Sequence, residues 1–459
     1  MQLEDSHIEF NTITPEQGRL SRYWLQLAVL SLGLAGLFAV LLVLSRMPGS
    51  EAFFPWLDFF HTALVVHVDQ SVLIWFLSMT GVVGALLARP TAGLILWQRL
   101  ALLLALVGTL GIALSAFVGE GAPLMNNYVP VLQRPFFFAM LGVFGVGIAL
   151  QLVLVFLGST GLRRAAAAGF HLPTLAGFTL ALAILIALLA IVTAWWQMPP
   201  EVEGQGYYEY LFWGGGHSLQ FAYTQLIMLA WLLLAWGSGA HLPGDARWYA
   251  VLLLIGVAPV LLTPVIYLLY DTVSLESRNA FTRLMQYGGG LAVIPLGALV
   301  VWGLLKSPPS EPQLRPLRRS LWMSLLLFFA GGVIALFISG VNTIIPAHYH
   351  GSIVGVTLGL MGLAYLLLPR LGYAPATGRL AAWQPWIYGY GQLLHITGLA
   401  ASGAMGIQRK TAGAAQGLDS LSAKLAMGVM GLGGLLAVIG GILFVWVMLS
   451  AFLAREPSA

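Results

Sequence analysis

The sequence predicts an all-α membrane protein, built as a bundle of twelve transmembrane helices. Hydrophobic residues make up 59% of its 459 residues and charged residues only 8%, which is too few charges to cover a soluble protein of this length. The apolar residues fall in runs of about 20, the length that an α-helix needs to cross a bilayer. The runs lack the alternating pattern of membrane β-strands, so we expect helices.

The loops between these runs are short, and the 54 glycines suit close packing between membrane helices. We expect a single domain over residues 23–452, with a cytoplasmic segment before it (1–22) and a cytoplasmic tail after it (453–459). The twelve predicted spans are residues 23–45, 61–88, 97–118, 135–158, 173–195, 208–236, 247–270, 284–305, 320–341, 346–369, 386–406 and 424–452.

The distribution of charge predicts the orientation of the protein in the membrane, and the lack of cysteine limits the kinds of metal site it can form. With the N-terminus inside, fourteen of the 21 Lys and Arg residues lie on the inner side and seven on the outer side. Positive loops favour the cytoplasm, so we expect a multi-pass protein of a bacterial-type inner (plasma) membrane with both termini cytoplasmic. The dispersed net charge of +4 does not indicate nucleic-acid binding. The chain has no cysteine, which excludes disulfides, iron–sulfur clusters and thiolate copper sites within it.

Four histidines lie inside the predicted spans at a similar depth: His67 in the second span, His217 in the sixth, and His348 and His350 at the start of the tenth. At 1.5 Å per residue, all four lie within roughly 15 Å of the outer face. Residues two apart point to opposite sides of a helix, so His348 and His350 suit two separate centres. Imidazole is costly in hydrocarbon without a partner. Each is therefore predicted to hold a haem or metal, the alternative being a polar cap hydrogen-bonded to loop backbone.

This pattern resembles catalytic subunit I of the haem–copper oxidase superfamily, which includes the oxygen-reducing cytochrome oxidases and the nitric oxide reductases. The resemblance rests on the twelve spans, on Gly81 fourteen residues after His67, and on the His-x-His of the tenth span. It covers most of the chain. It implies that His67 and His350 are the axial ligands of a low-spin haem. His348 would bind a second, high-spin haem whose open face takes a small gas molecule.

Other residues would complete the haem surroundings. Arg409 and Lys410 follow the eleventh span, where the superfamily commonly pairs basic residues with haem propionates, and an ordinary pair of loop cations is the alternative. Trp213 is expected near a haem. Asp69 is a carboxylate inside a span, which is either functional or hydrogen-bonded to a neighbouring helix or a haem substituent.

The resemblance also implies a second metal at His217, copper in the oxidases and usually non-haem iron in the nitric oxide reductases. The tyrosine that many oxidases place four residues later is Phe221 here, and Leu268 and Leu269 replace the histidine pair of the seventh span. Leucine cannot bind a metal, so a three-histidine copper site is not expected. Two outcomes stay open: an altered site in which His217 is joined by Tyr270 or Asp271 as an oxygen ligand, or the absence of the second metal, which we favour.

We therefore expect a dihaem oxidoreductase that passes electrons from the low-spin to the high-spin haem, where NO or O₂ is reduced. Coupling two NO molecules needs fewer electrons than splitting O₂ and needs no tyrosine. No copper-A or cytochrome c domain is recognisable, so such a partner subunit, or quinol, would deliver the electrons. Two alternatives stay open: a non-catalytic haem conduit or gas sensor in a larger respiratory complex, and a transporter that uses the histidines as a proton relay.

Overall fold

The computed structural model describes residues 3–10, 13–45, 58–88, 92–158, 171–308, 311–409 and 420–454. Each of the twelve predicted spans overlaps a helix, so the predicted all-α membrane bundle is confirmed. The described helices are α1 (Pro15–Leu44), α2 (Phe59–Val68), α3 (Trp75–Leu87), α4 (Ala92–Leu114), α5 (Pro135–Gly158), α6 (Leu172–Gln197), α7 (Gly204–Gly237), α8 (Ala246–Val257), α9 (Thr263–Leu269), α10 (Leu275–Gly288), α11 (Val293–Lys306), α12 (Arg315–Ala335), α13 (Ile344–Arg370), α14 (Arg379–Ala404) and α15 (Leu421–Leu453).

Eleven helical stretches of the described chain are long and apolar enough to cross a membrane. The eleventh predicted span, which corresponds to α14, is not among them. Helix α14 has 26 residues and is about 39 Å long at 1.5 Å per residue, so its length suffices. Gln384, Gln392 and His395 make it more polar than the other spans.

Two spans change their helical geometry part-way. In the second span, a π-helical turn at Asp69–Ile74 joins α2 to α3. Such turns insert an extra residue and re-aim the side chains that follow. In the seventh span, a 3₁₀ turn at Ala258–Leu262 joins α8 to α9. Pro259 and Pro264 lie at the starts of this turn and of α9, because proline lacks the N–H that a continuous α-helix needs.

The first of two compact units comprises Met1–Leu229 and Leu242–Leu299. Between α4 and α5 it carries a loop closed by two short antiparallel strands, β1 (Pro123–Leu124) and β2 (Val131–Leu132). Helices α6, α7, α9 and α10 surround an aromatic core in which Tyr267 and Phe281 are buried. This core and the β1–β2 loop build the surroundings of His217.

The second unit comprises Ala230–His241 and Val300–Ala459. Helices α12 and α13 cross where Gly331 meets Gly351, and a Cβ on Gly351 would lie 2.6 Å from the Cα of Gly331. Only glycine permits this approach, so the crossing brings the start of α13 against the backbone of α12. The predictions of a single domain and of cytoplasmic termini stay predictions, and residues 455–459 lie outside the described chain.

Candidate functional site

His67 ends α2 and is tied to the neighbouring helix. Its Nδ1 lies 2.8 Å from the carbonyl oxygen of Ala35 on α1. A neutral imidazole that donates its Nδ1–H to a carbonyl presents the lone pair of Nε2, and metal-binding histidines are commonly oriented in this way. His67 therefore fits the role of an axial haem ligand.

His348, in the second unit, has the same arrangement. Its Nδ1 lies 2.8 Å from the carbonyl oxygen of Gly331 on α12, within reach because α12 and α13 meet at glycine. The ring of His350 instead lies 5.0 Å from the ring of His395 on α14. The two imidazoles thus contact different helices, as their two-residue spacing predicts. His395 donates from Nδ1 to the carbonyl of Met430 at 3.0 Å, a hydrogen bond between α14 and α15.

The loop after α14 returns to the segment that precedes α13. The N–H of Thr343 donates to the carbonyl of Ile407 at 3.0 Å, and Asn342 pairs with Gln408. Arg409 follows, and its buried Nε has no hydrogen-bond partner among the described residues. An orphaned guanidinium N–H fits an anionic group such as a haem propionate. Lys410 lies outside the described residues.

Three consecutive glycines on α7 make room for the surroundings of His217. A Cβ on Gly214 would meet Tyr267 and Phe281, and one on Gly215 would lie 3.0 Å from the carbonyl of Ala187 on α6. A Cβ on Gly216 would clash with the Cγ and Cδ1 of Tyr128, which comes from the β1–β2 loop. Tyr128 therefore occupies the space that a side chain at position 216 would fill.

His217 is 5% exposed, and protein groups surround its ring. Its Nδ1 lies 2.7 Å from the carbonyl of Trp213, one turn earlier on α7, and the Tyr128 hydroxyl lies 3.0 Å from each ring nitrogen. The hydroxyl is therefore equally close to both nitrogens, and because Nδ1–H donates to Trp213, Nε2 is the nitrogen free to accept from it. The indole of Trp213 packs 4.8 Å from the same ring, and the guanidinium of Arg278 lies 4.8 Å from the centre of that indole.

The two residues expected to form an altered metal site with His217 lie at the end of α9. Tyr270 is 39% exposed, and with Asp271 it lines a cavity of about 540 Å³ at the end of α9. Leu268 and Leu269 are 84% and 66% exposed. No group of three or more potential His, Asp or Glu ligands forms within the described parts of the chain. The altered site with Tyr270 and Asp271 stays a prediction from the sequence.

Asp69, the first residue of the π-helical turn, is 1% exposed. Neither carboxylate oxygen has a hydrogen-bond partner among the residues that the structure describes. The predicted hydrogen bond to a neighbouring helix is therefore not observed, whereas a functional role and a bond to a haem substituent stay predictions. Burial of a carboxyl group without a partner is costly.

Three comparisons place the chain among known proteins. No family model matches it. An uncharacterized protein of Rickettsia prowazekii is 30% identical over 497 aligned positions, which cover 93% of this chain and 95% of that protein. The chain belongs to the family of this rickettsial protein. An uncharacterized protein of Aquifex aeolicus is 29% identical over 374 positions, covering 79% of this chain and 88% of that one.

The fold resembles that of a solved heme-copper terminal oxidase, determined as a dimer by cryo-EM. The two chains superpose with a TM-score of 0.68, and the match covers 97% of this chain and 86% of the oxidase chain. Sequence identity is 16%, so the likeness is one of fold. The family that includes the rickettsial protein therefore has the fold of a haem–copper oxidase, as the spacing of the histidines led us to expect.

Tyr128 is the residue of this site that the sequence did not reveal. Asn126 accepts hydrogen bonds from the backbone N–H groups of Tyr128 (2.9 Å) and Val129 (2.8 Å), which folds the loop, and Asn127 donates to Glu209 on α7 at 2.9 Å. Burial, and then the nearby Glu209 charge, raise the pKa of Tyr128, so its hydroxyl stays a protonated donor. The one sequence signal was the glycine run before His217.

Proposed function

We propose that the protein is a haem-binding subunit of a membrane oxidoreductase, in which electrons pass from a low-spin haem to a high-spin haem that reduces a small gas molecule. The observation that carries the proposal is that His67 and His348, two of the positions that the resemblance gives to haem ligands, share one arrangement. Each donates Nδ1–H to a carbonyl of a neighbouring helix and keeps Nε2 for iron. The sequence assigns His67 and His350 to the low-spin haem and His348 to the high-spin haem.

Bound haem would supply an iron that accepts one electron at a time and, at the high-spin centre, an open coordination position. The residues of this chain would orient the histidine ligands and neutralise the negative charge of the haem substituents. The carbonyls of Ala35 and Gly331 fix the tautomers of His67 and His348. Arg409 offers a buried N–H to an anionic substituent, and Lys410 is assigned the same role from the sequence.

We propose NO rather than O₂ as the gas. Splitting O₂ without releasing peroxide needs several electrons at once, and a second metal with a tyrosine commonly supplies part of them in the oxidases. Among the described residues, no group of three or more His, Asp or Glu is available for that metal, whereas coupling two NO molecules needs only two electrons. Electrons would come from a partner subunit of the cytochrome c or copper-A type, or from quinol.

The same observation favours a second function, that of a non-catalytic haem conduit or gas sensor within a larger respiratory complex. Among the described residues, His217 has Tyr128 and Trp213 as its polar neighbours and no further potential metal ligand. A haem opposite such a site could transfer an electron, or bind a gas, without turnover.

Difference spectra of the purified protein, with iron and copper quantified per chain, separate these functions. We expect two irons, no copper, and CO binding to one haem. His348→Ala should abolish CO binding and leave the other haem in place. His61→Gln serves as the control, because His61 lies on the same helix as His67 but is paired at 2.6 Å with Asp58 near the surface.

Three outcomes would contradict the proposal in different ways. A pigment-free protein would favour the transporter alternative. Two haems that do not bind CO would favour the non-catalytic electron conduit. Three metals per chain would mean that a second-metal site does form at His217.

A further inference from the structure

A cluster of arginines lies where α12 and α14 begin, in the second unit. Arg315 and Arg319 are one turn apart on α12, within electrostatic reach of each other. Arg319 donates from a terminal nitrogen to the carbonyl of Ala382 in the first turn of α14. Arg379, the first residue of α14, lies three positions before Ala382 and is exposed. The three cations therefore lie in the first turns of two helices that the bond from Arg319 to Ala382 joins.

This positive charge has no protein counter-charge among the described residues. No carboxylate pairs with Arg315, Arg319 or Arg379. The nearest acidic residue in the sequence, Glu311, accepts instead from the side chain of Gln313. Like charges placed together without a counter-ion repel each other, which favours an anion from outside the protein.

Aromatic side chains surround the guanidinium of Arg319. It lies 5.6 Å from the ring centre of Trp383 and 5.8 Å from that of Trp386, and Trp386 stacks on Tyr390 at 5.3 Å. Tryptophan and tyrosine concentrate at the level of the lipid headgroups. The aromatic rings hold the planar guanidinium in place, so its unused N–H groups are presented in a fixed direction.

An apolar stripe leads away from the arginines along α14. Trp383, Tyr390 and Leu394 are 57%, 53% and 37% exposed, and positions 383, 386, 390 and 394 share one helix face. The stripe extends about 16 Å at 1.5 Å per residue. A positive end with an apolar stripe matches a molecule with an anionic head and an acyl chain, whereas an acidic protein segment would not need the stripe.

We propose that Arg315, Arg319 and Arg379 bind the phosphate of an anionic phospholipid, whose acyl chain lies along the exposed face of α14. Basic sites between membrane helices commonly take such headgroups. This site shares no residue with the proposed haem ligands, so it can be tested whether or not the protein binds haem.

The test is titration of the delipidated full-length protein with phosphatidylglycerol or phosphatidylcholine, followed by native mass spectrometry. We expect preferential retention of phosphatidylglycerol. One arginine near an anionic surface contributes about fivefold in affinity, so Arg315→Gln should weaken binding about fivefold. The double variant Arg315→Gln/Arg319→Gln should weaken it roughly 25-fold. Arg315 is exposed, so the single variant keeps the test valid if the double variant does not fold.

Arg99→Gln is the matched control, since Arg99 is exposed but lies 3.7 Å from the carboxylate of Glu16. It should bind phosphatidylglycerol as the unmodified protein does. Equal retention of the two lipids, or equal binding by the Arg315 and Arg99 variants, would overturn the proposal. So would a co-purifying acidic polypeptide that occupies the site after delipidation.

Discussion

Replacing Gly216 with alanine tests how the surroundings of His217 are built. The new Cβ would clash with the Cγ of Tyr128 and lie 2.7 Å from its Cβ. The tyrosine must then leave its place, and it gives up its contacts with His217 and with the indole of Trp213, 5.8 Å away. The substitution therefore disturbs the β1–β2 loop as well as α7.

The expected magnitude combines two opposing effects. Overpacking a closely packed site costs about 1–3 kcal/mol. Alanine in place of glycine within a helix raises the free energy of unfolding by about 0.5–1 kcal/mol. We expect Gly216→Ala to lower the free energy of unfolding by roughly 1–2 kcal/mol. Gly206→Ala, also on α7, should raise it by about 0.5–1 kcal/mol, because its nearest neighbour would be Val202 at 4.0 Å.

The assay is reversible unfolding in mixed detergent micelles, followed by circular dichroism, within a double-mutant cycle. Residues in contact do not contribute additively, so Gly216→Ala should cost little once Tyr128→Ala is present. Equal effects of Gly216→Ala and Gly206→Ala, or an unchanged cost in the Tyr128→Ala background, would refute the account of the loop packed against Gly216.

Three further changes have defined outcomes. Tyr128→Phe keeps the ring but removes the hydroxyl that contacts the imidazole of His217. It should lower the free energy of unfolding by about 0.5–1.5 kcal/mol in the same assay. Gly331→Val should separate α12 from α13 and reduce CO-binding haem per chain, whereas Gly332→Val, with no neighbour within 4 Å of its Cβ, should not. Burial lowers the pKa of His171 below its usual 6.5, so the unfolded chain protonates first. The free energy of unfolding should therefore fall as the pH drops below about 6.5. The measurement is the free energy of unfolding as a function of pH. The His171→Asn variant, whose side chain can still cap α6, should not show this fall.

The spans were predictable because each depends on a local property of the chain, the hydropathy of about 20 successive residues. The exceptions are instructive. The eighth span was predicted to start at residue 284, but α10 starts at Leu275. Its first turns are polar and carry no hydropathy signal, yet Ser274 caps them by accepting from the N–H of Ser277 at 3.1 Å. Capping and packing, rather than apolarity, extend this helix.

The candidate site was predictable only in part, for the same reason. The opposite directions of His348 and His350 follow from helix geometry alone. The contact between Tyr128 and His217 joins residues 89 positions apart, and no local pattern encodes it. Leu268 and Leu269 could be recognised as poor metal ligands from the sequence, but their exposure of 84% and 66% could not.

The hydrogen bonds of the imidazoles explain why Tyr128 matters for His217 in particular. The Nδ1 of His67 and that of His348 reach carbonyls 32 and 17 residues away, on neighbouring helices. His217 uses the carbonyl of Trp213, four residues earlier on its own helix, so that bond does not connect α7 to any other element. The hydroxyl of Tyr128 supplies the missing connection. The orientation of His217 therefore depends on the β1–β2 loop, and through it on the glycine at position 216.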